Sequence, residues 1–281
     1  MTASAAQDIG LDIFRFLPPR ERLMELAAAR KAEYAAAKPF PHIGFDDFLP
    51  ADAAEAVLDA FPTPQGVSWR EFRNERERKL ATGDERVFPP VVRNVLAALN
   101  SLTFLKFLEE LTGIPNLIPD PHFLGGGLHQ IVAGGKLGVH VDFNLHTHYR
   151  LDRRLNLLVY LNKDWREEYG GHFELWNADG TRCEKKFLPV FNRCVIFSTS
   201  EISYHGHPHP LTCPPDRTRK SLALYYYTNG RPDGETAPEH STVFRDLPEE
   251  NTPGRRLLRG FRRVVRAVTP PVLYGLVDRK A

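Results

Sequence analysis

The sequence predicts an α+β fold in which helices pack on one side of an antiparallel β-sandwich or barrel. Helix-forming patterns dominate residues 1–113, whereas 114–232 contain short apolar runs separated by turn residues. The strand pattern then ends, and 233–281 form a tail. We therefore interpret the chain as a mostly helical amino-terminal support region, a β core and a carboxy-terminal tail.

The amino-terminal helices are predicted from composition and spacing. The stretch "PPRERLMELAAARKAEYAAAK" (18–38) has a proline pair followed by Ala, Leu, Glu, Arg and Lys, which favour helix. A short strand in "FPHIGF" precedes a helix that begins near "PADA". We expect one further helix over "VVRNVLAALNSLTFLKFLEELTG" (91–113), where apolar residues recur at three and four positions and Gly113 ends the helix.

The β core is predicted from six apolar runs of strand length. They are "LHQIVAGGK", "LGVHVDF", "RLNLLVYLN", "GGHFELW", "KFLPVFNRCVIFS" and "KSLALYYYT". Glycine, proline and Asn-Asp turns separate these runs, a pattern typical of an antiparallel sandwich or barrel.

Composition restricts the function classes. The formal charge of +2 over 281 residues gives no reason to expect a nucleic-acid partner. The three cysteines have no paired spacing, and the start "MTASAAQDIG" has no basic or apolar signal region. We therefore expect a cytoplasmic protein without a disulfide framework.

The tail contains one distinctive segment, "GRRLLRGFRRVVRAV" (254–268), in which arginines alternate with apolar residues at helical spacing. This pattern predicts a basic amphipathic helix. We expect it to dock on the domain with a solvated basic face, and a weak contact with a membrane surface is the alternative.

A cluster of metal-seeking residues lies in "GVHVDFNLHTHYR" (138–150). Because strand side chains alternate, His140 and Asp142 project to one side, about 6.6 Å apart along the backbone. The histidine-bearing stretch "FSTSEISYHGHPHPL" offers a third ligand, and two histidines with one carboxylate form the facial triad of non-haem Fe(II) oxygenases. Arg219 opens the next apolar run, where it suits a dicarboxylate. A hydrogen-bonded surface pair is the alternative for His140 and Asp142.

The order of these motifs resembles the Fe(II)/2-oxoglutarate dioxygenases, and the prolyl 4-hydroxylase group most of all. The resemblance covers roughly residues 125 to 230. The motifs that carry it are H-x-D, "RRLNLLVYLNKDW", "GGHFELW", a distal histidine and "RKSLALYYY". It implies a double-stranded β-helix (jelly-roll) core, Fe(II), 2-oxoglutarate as cosubstrate and ascorbate as reductant. The implied reaction is hydroxylation of a prolyl residue, a free amino acid or another small molecule, with release of succinate and CO2. A non-redox zinc-binding cupin-like module and an inactive binding protein are the alternatives.

The resemblance also implies roles for individual residues. The metal ligands are His140, Asp142 and His205, with His207 as the first rival of His205 and His209 as a further one. Residues implied at the cosubstrate site are Arg219, with Lys220 as its rival, and Ser221, Tyr160, Asn156, Leu158 and Tyr225. Gln130, ten residues before His140, is expected near the metal.

The remaining polar residues of this region have simpler interpretations. His146 and His148 are expected at the surface, and His172 is expected to be structural. Arg150, Arg153 and Arg154 are interpreted as a solvated charge run, with an edge that binds an acidic substrate as the alternative.

Overall fold

A computed structural model describes residues 12–232 and 234–247. The helices are α1 Arg20–Ala36, α2 Ala51–Ala60, α3 Pro90–Leu99 and α4 Leu102–Thr112, with short 3-10 turns at Ile13–Phe16, Glu85–Val87 and Glu167–Tyr169. The strands are β1 His42–Phe45, β2 Arg70–Arg73, β3 Glu77–Thr82, β4 Ile118–Pro119, β5 Gly127–Val132, β6 Lys136–Val141, β7 Asp152–Tyr160, β8 Phe173–Trp176, β9 Cys183–Phe187, β10 Arg193–Ser198, β11 His205–His207, β12 Thr218–Thr228 and β13 Val243–Phe244.

The helices follow the predicted pattern, with one correction. Instead of a single helix over 91–113, α3 and α4 meet at a 48° bend. The physical reason is local, because the Ser101 hydroxyl accepts a hydrogen bond from the Phe104 backbone N–H and so starts a new helix. Gly113 ends α4 with a φ of 72°, in the left-handed region that glycine adopts easily.

Within the described residues, thirteen strands form one antiparallel sheet that curls into a nearly closed barrel. The strand order is β1-β10-β7-β12-β5-β3-β6-β11-β8-β9, with β2 on β3, β4 on β12 and β13 on β6. This is the double-stranded β-helix core that the sequence predicts.

The predicted division into helical support, core and tail needs correction at both ends of the core. Strand β1 is the short strand predicted in "FPHIGF", but β2 and β3 come from the region expected to be mostly helical, and β13 comes from the region expected to be tail. Strand β3 pairs with both β5 and β6, so the amino-terminal region completes the barrel. Strands β5 and β6 supply the hydrogen-bond partners of β3, and the charged segment by itself does not identify these partners.

The helices pack on one side of the sheet, as predicted. Alternate residues of β7 and β12, among them Leu157 and Leu224, join the helical residues Val95 and Phe104 in one apolar core. The opposite face of the same strands points into the barrel, where Tyr160 packs in a smaller cluster with Phe173, Leu175 and Phe197. The strand period of two therefore divides each strand between a helix-facing core and the barrel interior.

The predicted basic helix over 254–268 lies outside the described residues. Among the residues that are described, no single helix is long and apolar enough to cross a membrane, and only the bent pair α3 and α4 meets those two criteria together. Cys183, Cys194 and Cys213 are all free in the structure.

Candidate active site

Three predicted ligands meet at one point inside the barrel. His140 and Asp142 lie at the end of β6, and β11 places His205 directly opposite His140 in the antiparallel ladder. One ligand atom of each residue lies within 4.8 Å of the others. The His140 and His205 Nε2 atoms are 3.5 and 3.4 Å from the two oxygens of the Asp142 carboxylate. Two imidazoles and one carboxylate fit a ferrous ion with open coordination positions.

Backbone carbonyls fix the orientation of both imidazoles. His140 Nδ1 lies 2.9 Å from the Gly138 carbonyl oxygen, and His205 Nδ1 lies 2.8 Å from that of Ser203. Because a carbonyl only accepts, each Nδ1 donates its proton, and the neutral imidazole then keeps its lone pair on Nε2. Both lone pairs are then available to a metal ion, as in other histidine sites with backbone partners.

The Asp142 carboxylate is held by two further side chains. Arg153 Nη2 lies 3.0 Å from Asp142 Oδ2, and the Asn156 amide donates a hydrogen bond of 2.7 Å to the same oxygen. Burial alone raises the pKa of Asp142, but Arg153 and the two histidines outweigh it and hold that pKa well below its usual range. The carboxylate is therefore ionised, as a metal ligand must be.

The interpretation of Arg150, Arg153 and Arg154 as a solvated run or an acidic-substrate edge is wrong for two of the three. Arg153 is only 1% exposed, and its guanidinium carbon lies 3.5 Å from the centre of the Tyr225 ring. Arg154 is also buried and pairs with Glu235. Arg150 alone is exposed, and it pairs with Glu239. The partner of Arg153, Asp142, belongs to another part of the chain. The sequence of the charge run therefore does not indicate that Arg153 is buried.

A second polar centre lies around Arg219 on β12. Arg219 is 5% exposed; its Nε donates to the Gly171 carbonyl over 2.8 Å, and its Nη2 donates to the Tyr160 hydroxyl over 3.3 Å. Burial raises the pKa of Tyr160 to about 12, so the phenol keeps its proton at neutral pH. No carboxylate among the described residues pairs with Arg219. This buried cation consequently suits an acidic ligand.

Gly171 makes room for this arginine. Its φ is +69°, and an added Cβ would lie 2.4 Å from Leu211 Cδ2 and 3.1 Å from Arg219 Cδ. Only glycine accepts both the backbone conformation and the close approach.

Four more predicted residues share the barrel-facing side of the strands. Ser221 is 2% exposed and lies directly opposite Tyr160 in the ladder. Asn156 and Tyr225 lie opposite each other, and the Tyr225 hydroxyl donates to the Gly125 carbonyl over 2.8 Å. Leu158 is half-buried and packs against the barrel-facing cluster. The structure thus places these residues beside the two polar centres.

The placement expected for Gln130 is wrong. It lies opposite Lys220 and Leu80 in the ladders, on the face away from Arg219, and its amide donates to the Pro62 carbonyl over 3.2 Å. Lys220, the rival of Arg219, shares this outer face. A ten-residue separation does not fix the face of a residue, because a shift of one position reverses it.

His129, the neighbour of Gln130, occupies the inner face that Gln130 was expected to occupy. It lies opposite Ser221, and burial together with Lys79 lowers its pKa to about 3. The strand alternation of "LHQIV" allowed either residue to face inward.

The rivals of His205 have different environments. His209 is exposed. His207 is 3% exposed, and neither of its ring nitrogens has a hydrogen-bond partner among the described residues. The group of potential ligand atoms contains His205 and excludes His207.

The surface position expected for His146 is also wrong. Its side chain is 1% exposed, its Nδ1 accepts from the backbone N–H groups of His148 and Tyr149, and its Nε2 lies 3.5 Å from Asp120 Oδ1. The partner Asp120 comes from a distant loop. His148 is exposed, as expected, and His172 shares a 2.7 Å hydrogen bond with Glu167.

A cavity of about 910 Å³ opens beside His140 and Asp142. Its walls include Phe72 and Lys79 of the β2–β3 hairpin and Phe244 of β13, whose ring centre is 5.3 Å from that of His140. Neither wall is predicted from the sequence, because these segments fall in the region expected to be helical and in the expected tail. The aromatic residues within the charged stretch "SWREFRNERERK" were the available signal.

Comparisons with known proteins agree with this geometry. Residues 126–227 match the family model of the 2OG-Fe(II) oxygenase superfamily. A prolyl-4-hydroxylase from Pseudomonas putida aligns at 20% identity with a TM-score of 0.52, covering 73% of this chain and 100% of that one. A prolyl 4-hydroxylase from Phytophthora capsici aligns at 18% identity with a TM-score of 0.52, covering 87% of this chain and 75% of that one. No curated protein matches the chain significantly. At these identities the structural matches establish a shared fold.

Proposed function

We propose a specific reaction for this chain on the premise that it belongs to the 2OG-Fe(II) oxygenase superfamily. The reaction is hydroxylation of a prolyl residue, a free amino acid or a related small molecule. One atom of O2 enters a substrate C–H bond, and the other enters succinate as 2-oxoglutarate loses CO2. Ascorbate serves as the reductant that keeps the metal ferrous.

One observation is the main support for 2-oxoglutarate as cosubstrate. Arg219 is a buried cation that donates to Tyr160 and Gly171 and has no carboxylate partner in the described part of the chain. A buried charge without a counter-charge is costly, so the site favours a ligand that carries one. The distal carboxylate of 2-oxoglutarate accepts paired hydrogen bonds from a guanidinium and another from a phenol.

Other residues of the chain have separate proposed roles in the reaction. His140, Asp142 and His205 would hold the ferrous ion, which would supply the oxidising chemistry. Arg153 and Asn156 fix the carboxylate of Asp142, and the carbonyls of Gly138 and Ser203 fix the two imidazoles. Arg219, Tyr160 and Ser221 orient the cosubstrate. Leu158 and Phe197 line the interior with apolar surface, which limits the access of water.

The substrate class is supported by the fold and by the size of the cavity. Both structural relatives described above are prolyl 4-hydroxylases, and the cavity beside the triad accommodates an amino acid or a short peptide segment. Because one fold hosts many substrates, the substrate must be identified by assay. A cytoplasmic location remains a prediction.

A succinate-release screen tests the proposal. The purified protein is supplied with Fe(II), ascorbate and 2-oxoglutarate, and with proline-containing peptides, free amino acids and small metabolites in turn. We expect one class to stimulate succinate release and to gain one oxygen atom, which mass spectrometry detects. The Asp142→Ala variant should lose this stimulation, whereas Arg219→Ala should mainly raise the concentration of 2-oxoglutarate that half-saturates the enzyme.

Undiminished succinate release by Asp142→Ala would refute the metal assignment. If 2-oxoglutarate does not bind to the metal-loaded wild-type protein at all, the proposed cosubstrate is wrong.

A further inference from the structure

His207 is a buried polar side chain that the fold leaves without a partner. It is 3% exposed, and both of its ring nitrogens lack hydrogen bonds to the described residues. A buried polar group in this state is unfavourable, and most such groups in proteins are hydrogen-bonded. Packing alone would favour an apolar residue at this position, so the imidazole calls for a functional explanation.

The residues around His207 indicate which ligand its ring could contact. The residue follows the proposed metal ligand His205 by two positions on β11, and an irregularity in the ladder between the two residues places it opposite Leu137 of β6. The cationic or ionisable groups that act on its ring belong to Arg219, Lys79 and His140. The buried arginine and the metal ligand His140 thus both act electrostatically on the His207 ring, and the cosubstrate must extend between these two residues.

We propose that His207 is a cosubstrate-positioning residue that donates a ring N–H to the carboxylate of 2-oxoglutarate held by Arg219. A neutral imidazole has one donor nitrogen, and a carboxylate offers several acceptor lone pairs. The inference rests on the proposed use of 2-oxoglutarate and adds a third side chain to Arg219 and Tyr160. It also assigns a role to the residue that is the first rival of His205 as a metal ligand on sequence grounds.

The test measures binding rather than turnover. Wild type, His207→Val and His207→Gln are loaded with Mn(II), which does not support the oxidation, and are titrated with 2-oxoglutarate in a calorimeter under nitrogen. We expect the Kd of His207→Val to rise about 10-fold, equivalent to about 1.4 kcal/mol. The Kd of His207→Gln, which keeps a donor, should rise less than about 3-fold.

A second ligand tests whether His207 contacts the distal carboxylate of 2-oxoglutarate. 2-Oxovalerate has the same chain length as 2-oxoglutarate but no distal carboxylate. Wild type and His207→Val should therefore bind 2-oxovalerate equally. A 10-fold difference that persists with 2-oxovalerate would contradict a contact with the distal carboxylate.

Metal affinity and thermal stability complete the test. The affinity for Mn(II) should be unchanged in His207→Val and strongly reduced in His205→Ala. Because the unliganded wild type buries an unpartnered imidazole, His207→Val should melt at the same temperature or higher. Equal losses of Mn(II) affinity in the two variants, or a melting temperature several degrees lower in His207→Val, would overturn the inference.

The titration also separates this inference from the proposed function. If wild type binds 2-oxoglutarate and His207→Val binds it equally well, only the role of His207 is wrong. If wild type binds none, the proposed function itself fails.

Discussion

The two faces of strands β7 and β12 differ in what their residues do. On the helix-facing side, Leu157 and Leu224 are buried in an apolar core with the helices. On the barrel-facing side of the same strands, Asn156, Tyr160 and Ser221 are also buried, yet they are polar and lie beside the proposed metal and cosubstrate positions. Along one strand, residues that pack in the apolar core therefore alternate with residues that face the site, because alternate side chains point in opposite directions.

The largest effect is expected from a comparison of adjacent leucines. Leu157→Ala removes a fully buried side chain from the helix-facing core and should lower the free energy of unfolding by about 2–5 kcal/mol. Leu158→Ala shortens a half-buried side chain on the barrel-facing side and should lower the free energy of unfolding by less than half of that amount. Chemical denaturation measures both values. The division between the faces would be wrong if Leu158→Ala were the more destabilising change.

A second contrast compares Arg153, whose ion pair is buried, with Arg150, whose ion pair is exposed. Arg153→Met removes the buried partner of Asp142 and should weaken Mn(II) binding by roughly 10–100-fold, as loss of a ligand's supporting contact typically does. Arg150→Met removes only an exposed ion pair with Glu239 and should leave metal binding unchanged. Equal metal affinities in the two variants would show that Arg153 does not support the site.

Tyr160 and Tyr226 give the smallest and most specific contrast. The Tyr160 hydroxyl accepts from Arg219 inside the barrel, whereas the Tyr226 hydroxyl donates to the Leu99 carbonyl on the helix-facing side. Tyr160→Phe should raise the Kd for 2-oxoglutarate about 5-fold, the effect of one hydrogen bond of about 1 kcal/mol. Tyr226→Phe should instead lower stability by about 0.5–1.5 kcal/mol and leave that Kd unchanged. The reverse pattern in calorimetry and denaturation would contradict the assignment of the faces.

Most of the fold and the metal site could be predicted from local sequence patterns. The alternation around His140 and Asp142 specifies that both residues share a face, whatever the rest of the chain does. The break between α3 and α4 also had a local signal in Ser101, a favourable first residue for a new helix, although the apolar spacing concealed it.

The errors concern partners that are distant in the sequence. Gln130 was expected on the inner face, but the register of β5 against β12 places His129 there instead. Arg153 and His146 belong to polar stretches that suggest solvent exposure. They are buried because Asp142 and Asp120 are brought to them from other parts of the chain.

By itself, the sequence indicated His140 and Asp142 as two candidate ligands and a later histidine cluster as the source of a third, together with the alternation of each strand and a cationic residue suited to a dicarboxylate. Only the tertiary structure decided which face of each strand points inward, which charges are buried together and which segments close the cavity. The physical reason is that side-chain alternation is a property of a few consecutive residues, whereas strand register and charge pairing depend on segments far apart in the chain.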